Sequence, residues 1–92
     1  MMQARGLAIV EDVVWTRVEG EVVVIDPESE RFFGLHGAAV EAWEAIACGE
    51  TREGALAAIL ARYTVDEAVA EADLDRLLED LFARRLIRER LP

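Results

Sequence analysis

The hydrophobic pattern of this chain changes period once, near residue 36, and that change limits the folds open to it. Before it, short runs rich in β-branched and aromatic residues alternate with turn signals. Val13–Val18 is the first run. Glu19-Gly20 marks a turn. Glu21–Asp26 then encloses the apolar stretch Val22–Ile25, whose length and β-branching favour a strand over a buried helix. Asp26-Pro27-Glu28-Ser29 suits a type I turn, with Asp first and Pro second. Arg31–Leu35 forms a third short strand. Connections this tight imply an antiparallel meander.

After residue 36 the period is helical. A first helix runs from about Gly37 to Cys48, with Ala39, Val40, Trp43, Ile46 and Ala47 on one face. Gly49 follows as a residue free to turn left-handed and end it. Thr51 is a good N-cap for a second helix, striped by Ala55, Leu56, Ile59, Leu60 and Tyr63. A third and longest helix begins near Asp66 and ends near Arg85, with Ala70, Leu74, Leu77, Leu78 and Leu81 on its buried side. Strands followed by helices indicate an α+β fold: a three-stranded antiparallel sheet followed by three helices. Ninety-two residues make a single domain over residues 1–92, with its core at about 13–88. Three helices can cover one sheet face, but they cannot hide every edge.

Several chemistries lack the residues they need. His36 and Cys48 each stand alone, so no clustered ligand set for a metal is visible. They also lie at opposite ends of the first helix, roughly 18 Å apart by its rise per residue, so no nucleophile–base pair forms. Cys48 reads as a small buried residue near a helix end, and His36 as a strand-to-helix junction. Gly34 and Gly37 do not match a phosphate loop. Glu71, Asp73, Asp75, Glu79 and Asp80 read mainly as a solvated helix face. No enzyme activity, cofactor or metal is expected.

The net charge of −9, from 19 acidic and 10 basic residues, repels nucleic-acid backbones. Three helices beside a small sheet resemble a winged-helix transcription factor, yet the second helix offers only Arg52 and Arg62 for base edges. Nucleic-acid binding is therefore not expected. No hydrophobic run approaches the ~20 residues of a membrane helix, and the N-terminus has no signal-peptide core. A lone cysteine agrees with a reducing compartment, so a cytoplasmic protein without a membrane partner is expected.

The stretch Arg31-Phe32-Phe33-Gly34-Leu35-His36-Gly37-Ala38-Ala39-Val40-Glu41-Ala42-Trp43-Glu44-Ala45-Ile46 resembles the strand-to-helix passage of the PqqD-like family. Gly49-Glu50-Thr51 is similar to that family's start of the second helix. Tyr63, Asp73-Leu74, Leu77-Leu78 and Leu81 resemble its closing pattern. The likeness spans about residues 13 to 88. Two departures concern helix ends: His36 stands where the family usually has Asn, Asp or Ser, and Arg85 where a Gly commonly precedes the final Leu-Ile pair.

The resemblance implies a winged helix-turn-helix-like fold and a non-catalytic role in recognising precursor peptides of ribosomally made, modified products. A leader peptide would add as a β-strand along the third strand and against the third helix. The partners implied are a leader peptidase and an ATP-dependent cyclase of a lasso-peptide pathway. The alternative is a radical enzyme in pyrroloquinoline quinone synthesis.

A physical reading of the residues gives the same site. An edge strand offers unpaired backbone groups, and alternate side chains supply specificity. Arg31, Phe32, Phe33, Gly34 and Leu35 would form that edge. Alternation puts one of the two phenylalanines in the core and the other toward a groove or solvent. On the third helix, Phe82 extends the apolar arc on the side of Leu78, Asp75 and Glu71. Those four are the candidate second wall, with Asp75 able to accept a hydrogen bond from a basic leader residue.

Overall fold

The computed structural model describes residues 5–90. Its elements are β1 (Leu7–Ile9), β2 (Val14–Val18), β3 (Glu21–Ile25), β4 (Phe32–Leu35), α1 (Ala38–Ala47), α2 (Arg52–Arg62), α3 (Glu67–Ala83) and β5 (Ile87–Glu89). The expected meander is β2-β3-β4, antiparallel throughout and in that spatial order. Glu19 and Gly20 both take positive φ, 51° and 84°, and join Val18 to Glu21 as a two-residue hairpin. A primed turn of this kind matches the twist of the strands it connects.

The next turn differs from the type I expectation. Glu30 N–H reaches the Asp26 carbonyl, one residue further than a β-turn closes, and Glu30 is left-handed with φ 57°. The Asp26 carboxylate accepts from the Glu28 amide, which holds its pKa below the ordinary value.

All three helices form where the periodicity changes. Thr51 caps α2 through its hydroxyl, which accepts from Gly54 N–H. Asp66 caps α3 by accepting from Ala68 and Val69. Gly37 begins α1 at φ 61° and ψ −134° with no side-chain cap, a backbone region that suits glycine. The core fills the space between the sheet and the helices. Val22, Val24 and Leu35 meet Val40, Trp43 and Ile46 of α1 and Leu74, Leu78 and Leu81 of α3. Trp15 stands edge-on to the fully buried Trp43, with ring centroids 5.9 Å apart. Such a pair adds to the burial energy of the two rings.

Three expectations need correction. The chain ends form a second sheet, β1 against β5, with Leu7 opposite Glu89 and Ile9 opposite Ile87. Leu7, Leu86 and Ile87 are buried, so the core extends beyond residue 13 at the N-terminal end. On α1, Ala42 and Ala45 are buried while Ala47 is exposed, because helix and sheet together cover a wider arc than one stripe. Cys48 is exposed at the end of α1 instead of buried. Among the described residues, no helix is long and apolar enough to cross a membrane.

Candidate functional site

The direction of each backbone group on β4 follows from the hairpins on either side of β3. In the two-residue hairpin, Val18 and Glu21 close the turn as a bonded pair, so Val23 and Ile25 also point their N–H and C=O groups at β2. Val22, Val24 and Asp26 therefore point theirs at β4. The Asp26 N–H donates to the Arg31 carbonyl at 2.9 Å, in agreement. With Val24 opposite Phe33 and Val22 opposite Leu35, Phe33 and Leu35 bond inward. Phe32 and Gly34 are left with their N–H and C=O groups directed away from the sheet. Among the described residues β4 has no strand on that side.

Side chains alternate in the same register. Phe33 and Leu35 lie on the helix-covered face, and Phe32 and Gly34 on the opposite one. Leu35 is buried, Phe33 is half-buried, and Phe32 is 71% exposed. The alternation in the sequence thus resolves: Phe33 packs on the core and Phe32 faces solvent. The Arg84 guanidinium lies 5.0 Å from the centre of the Phe33 ring, a cation–π contact that brings one flank of α3 to β4.

That flank carries Leu77 and Asp73, two and three helical turns back from Arg84. An apolar hollow of about 180 Å³ opens beside them, lined by Ala38, Ala39, Ile59, Val65, Val69, Ala70, Leu74 and Leu77, with Asp73 supplying a carboxylate. Ala38 follows Leu35 by three residues, so the hollow lies where β4 ends. The hollow's own lining comes from α1, α2, α3 and the segment between the last two, and includes no residue of β4.

Glu71, Asp75, Leu78 and Phe82, the four residues expected as the second wall on α3, have the following surroundings. Arg52 Nε donates to Asp75 at 2.6 Å, and its Nη2 reaches Asp75 at 3.0 Å and Glu71 at 3.1 Å. Glu71 and Asp75 thus tie α3 to the start of α2. Arg52 holds the Asp75 carboxyl below its usual range, and the paired carboxylates hold the Arg52 guanidinium firmly charged. Leu78 is a core residue. Phe82 is 40% exposed on the Glu71–Asp75 flank, about 160° around the helix from Arg84. Arg31 and the four residues of β4 stand together, while Glu71 and Asp75 of the expected second wall are engaged by Arg52. On α3 it is Arg84 that meets β4, and Leu77 and Asp73 share its flank.

The model of the family described as Coenzyme PQQ synthesis protein D (PqqD) matches residues 21–87, well over half of the chain. The chain belongs to the PqqD family. The family resemblance read from its residues is therefore correct. No curated protein sequence matches the chain. Among solved structures it is similar to TbiB1 in complex with the TbiA(beta) leader peptide, with a TM-score of 0.81 and 28% identity over 92% of this chain and 99% of that one. The PqqD match begins at β3 and ends in β5, so it takes in β4, the hollow and all of α3.

Proposed function

We propose that this PqqD-family chain binds the leader segment of a ribosomally made precursor peptide as an added strand on β4 and presents it to modifying enzymes. The observation that carries this reading is the free edge of β4. Phe32 and Gly34 turn four backbone groups outward there, in a fold that superposes along its length on a protein solved with a leader peptide. Backbone pairing supplies affinity with little demand on sequence, and the hollow beside Leu77 takes an apolar leader side chain. Arg31, Phe33 and Leu35 hold the edge in place. The chain acts as a binding protein without catalysis, inside the cell and free of the membrane.

The partners that receive the peptide are a leader peptidase and an ATP-dependent cyclase of the lasso-peptide type. The second reading is a radical enzyme of pyrroloquinoline quinone synthesis, which the description of the matching family favours. The layout is that of a winged helix-turn-helix, but α3 displays Glu71, Asp73, Asp75, Glu79 and Asp80, which suits a peptide ligand and not DNA.

The test is a titration of fluorescein-labelled peptides followed by anisotropy. The panel is the TbiA(beta) leader and the N-terminal halves of short reading frames flanking the gene. Saturable binding by one of them, with no binding by a scrambled version, is the expected result. A panel with no saturable binder would overturn the reading. A binder encoded beside a peptidase gene selects the lasso pathway, and one beside a radical-enzyme gene selects the alternative.

A further inference from the structure

Five of the six glycines of this chain are accounted for by the fold, and Gly34 is not. Gly20, Gly37 and Gly49 take positive φ, which favours glycine. A Cβ on Gly6 would lie 2.6 Å from the Gly49 carbonyl oxygen, and one on Gly54 would lie 3.0 Å from the Glu50 Cβ, tighter than ordinary contact. A Cβ on Gly34 would meet only the Val22 carbonyl oxygen, at the ordinary distance of 3.9 Å, and its φ is not left-handed. Glycine inside a strand costs backbone entropy and removes a packing side chain. The free protein therefore bears that cost at Gly34 without a steric or conformational reason of its own.

The outer face of the sheet shows what the missing side chain leaves open. The register places Val14, Ile25 and Phe32 in one cross-strand row and Thr16, Val23 and Gly34 in the next. Val14 and Phe32 are 59% and 71% exposed. The first row is therefore an apolar ridge that ends in the Phe32 ring. The second row is a notch that runs from Val23 across Gly34 to the free edge, with Phe32 as one wall.

We propose that Gly34 determines specificity: the notch receives a large aromatic or branched apolar side chain of the bound peptide strand. This inference rests on the reading of β4 as the peptide-binding edge. A strand paired with the outward groups of Phe32 and Gly34 places one residue directly opposite Gly34, with its side chain on this outer face. That side chain lies back across Gly34 onto Val23, the way aromatic residues cover glycines in neighbouring strands. The peptide residue two positions away stands opposite Phe32. The hollow at α3 serves inward-pointing side chains and is a separate contact.

The experiment pans a random dodecapeptide phage library on the intact protein and takes forward peptides that protect the Phe32 and Gly34 amides from hydrogen exchange. The aromatic or branched residue common to them is replaced by Ala, and both versions are titrated against wild type, Gly34→Glu and Val23→Thr. The expected loss on wild type is roughly five- to thirtyfold, the span of one well-buried contact. On Gly34→Glu, where a charged side chain fills the notch, the loss shrinks below about twofold on the same scale. Val23→Thr keeps the volume but makes the floor polar, so it gives an intermediate loss. Equal losses on wild type and both variants overturn the inference and leave strand addition standing. Selected peptides with only small or charged residues opposite Gly34 do the same. If no selected peptide protects those two amides, both the β4 reading and the notch fall.

Discussion

Arg85 ends α3 in a left-handed conformation, φ 59°, as the second of two closing bonds forms behind it. Its N–H donates to the Phe82 carbonyl and the Leu86 N–H to the Leu81 carbonyl, each at 3.0 Å. The end of α1 has the same geometry, with Gly49 at φ 82° and bonds from Gly49 to Ile46 and from Glu50 to Ala45. This is the Schellman pattern, and its left-handed position favours glycine. Arg85 has only a 4.0 Å contact with Glu28 to lose, between two well-exposed side chains. Arg85→Gly should therefore stabilise the protein by about 1 kcal/mol, since a non-glycine residue costs roughly 1–2 kcal/mol there. Urea denaturation checks it, with an unchanged or lower midpoint as the contrary result. The departure at Arg85 was legible as a helix end because a Gly commonly stands there in the family. Gly34 was legible as unusual, but its neighbours across the sheet were not, because they depend on register.

At the scale of elements, α3 has two flanks beside its buried stripe, and its sequence does not say which one faces β4. Both margins carry apolar residues, Leu77 on one and Phe82 on the other. Periodicity alone made Phe82, with its larger ring, the stronger candidate. The answer depends on where Arg52 and Phe33 sit, on α2 and β4. Arg52 claims Glu71 and Asp75, and Phe33 meets Arg84. Leu77→Ala should weaken peptide binding by about 1 kcal/mol, roughly fivefold, if the ligand covers what remains open of its partly buried side chain. Phe82→Ala should leave affinity within about twofold on that scale. Anisotropy titration of both variants decides which flank forms the wall, and the reverse order would return the site to Phe82.

The Arg52 tie also sets a pH dependence. The folded pKa of Asp75 is depressed by Arg52. Its stabilisation is thus present above the unfolded carboxylate value, near pH 4, and is lost as pH falls through the folded value. The melting-temperature gap between wild type and Arg52→Ala should be full at pH 7 and close on acidification below about pH 4. A gap that persists unchanged at pH 2 would show that Arg52 acts through packing and not charge.

Across the whole molecule, the chain ends are joined by a ladder that no local pattern announces. β1 and β5 are three residues each and about eighty residues apart in sequence, too short for periodicity and too far apart for a turn signal. Their apolar residues were visible as Leu7–Val10 and as the Leu86-Ile87 pair, but their pairing was not. The order of three strands and three helices was legible because each spans enough residues to show its period. Leu7→Ala should cost about 2–5 kcal/mol, as for other buried leucines, although Leu7 lies outside the meander. Urea unfolding would show this, and a loss below about 1 kcal/mol would mean the ladder adds little to the core.

Among the described residues β4 is an open edge of its sheet, and leader binding at this site requires that edge to take a peptide strand. Amide hydrogen exchange read by NMR tests it residue by residue, with and without the tightest binder from the titrations. Without peptide, Phe33 and Leu35 should be protected by β3 while Phe32 and Gly34 exchange rapidly. With peptide, Phe32 and Gly34 should become protected and Phe33 and Leu35 remain so. Saturating peptide that leaves the Phe32 and Gly34 amides in fast exchange would contradict strand addition at β4.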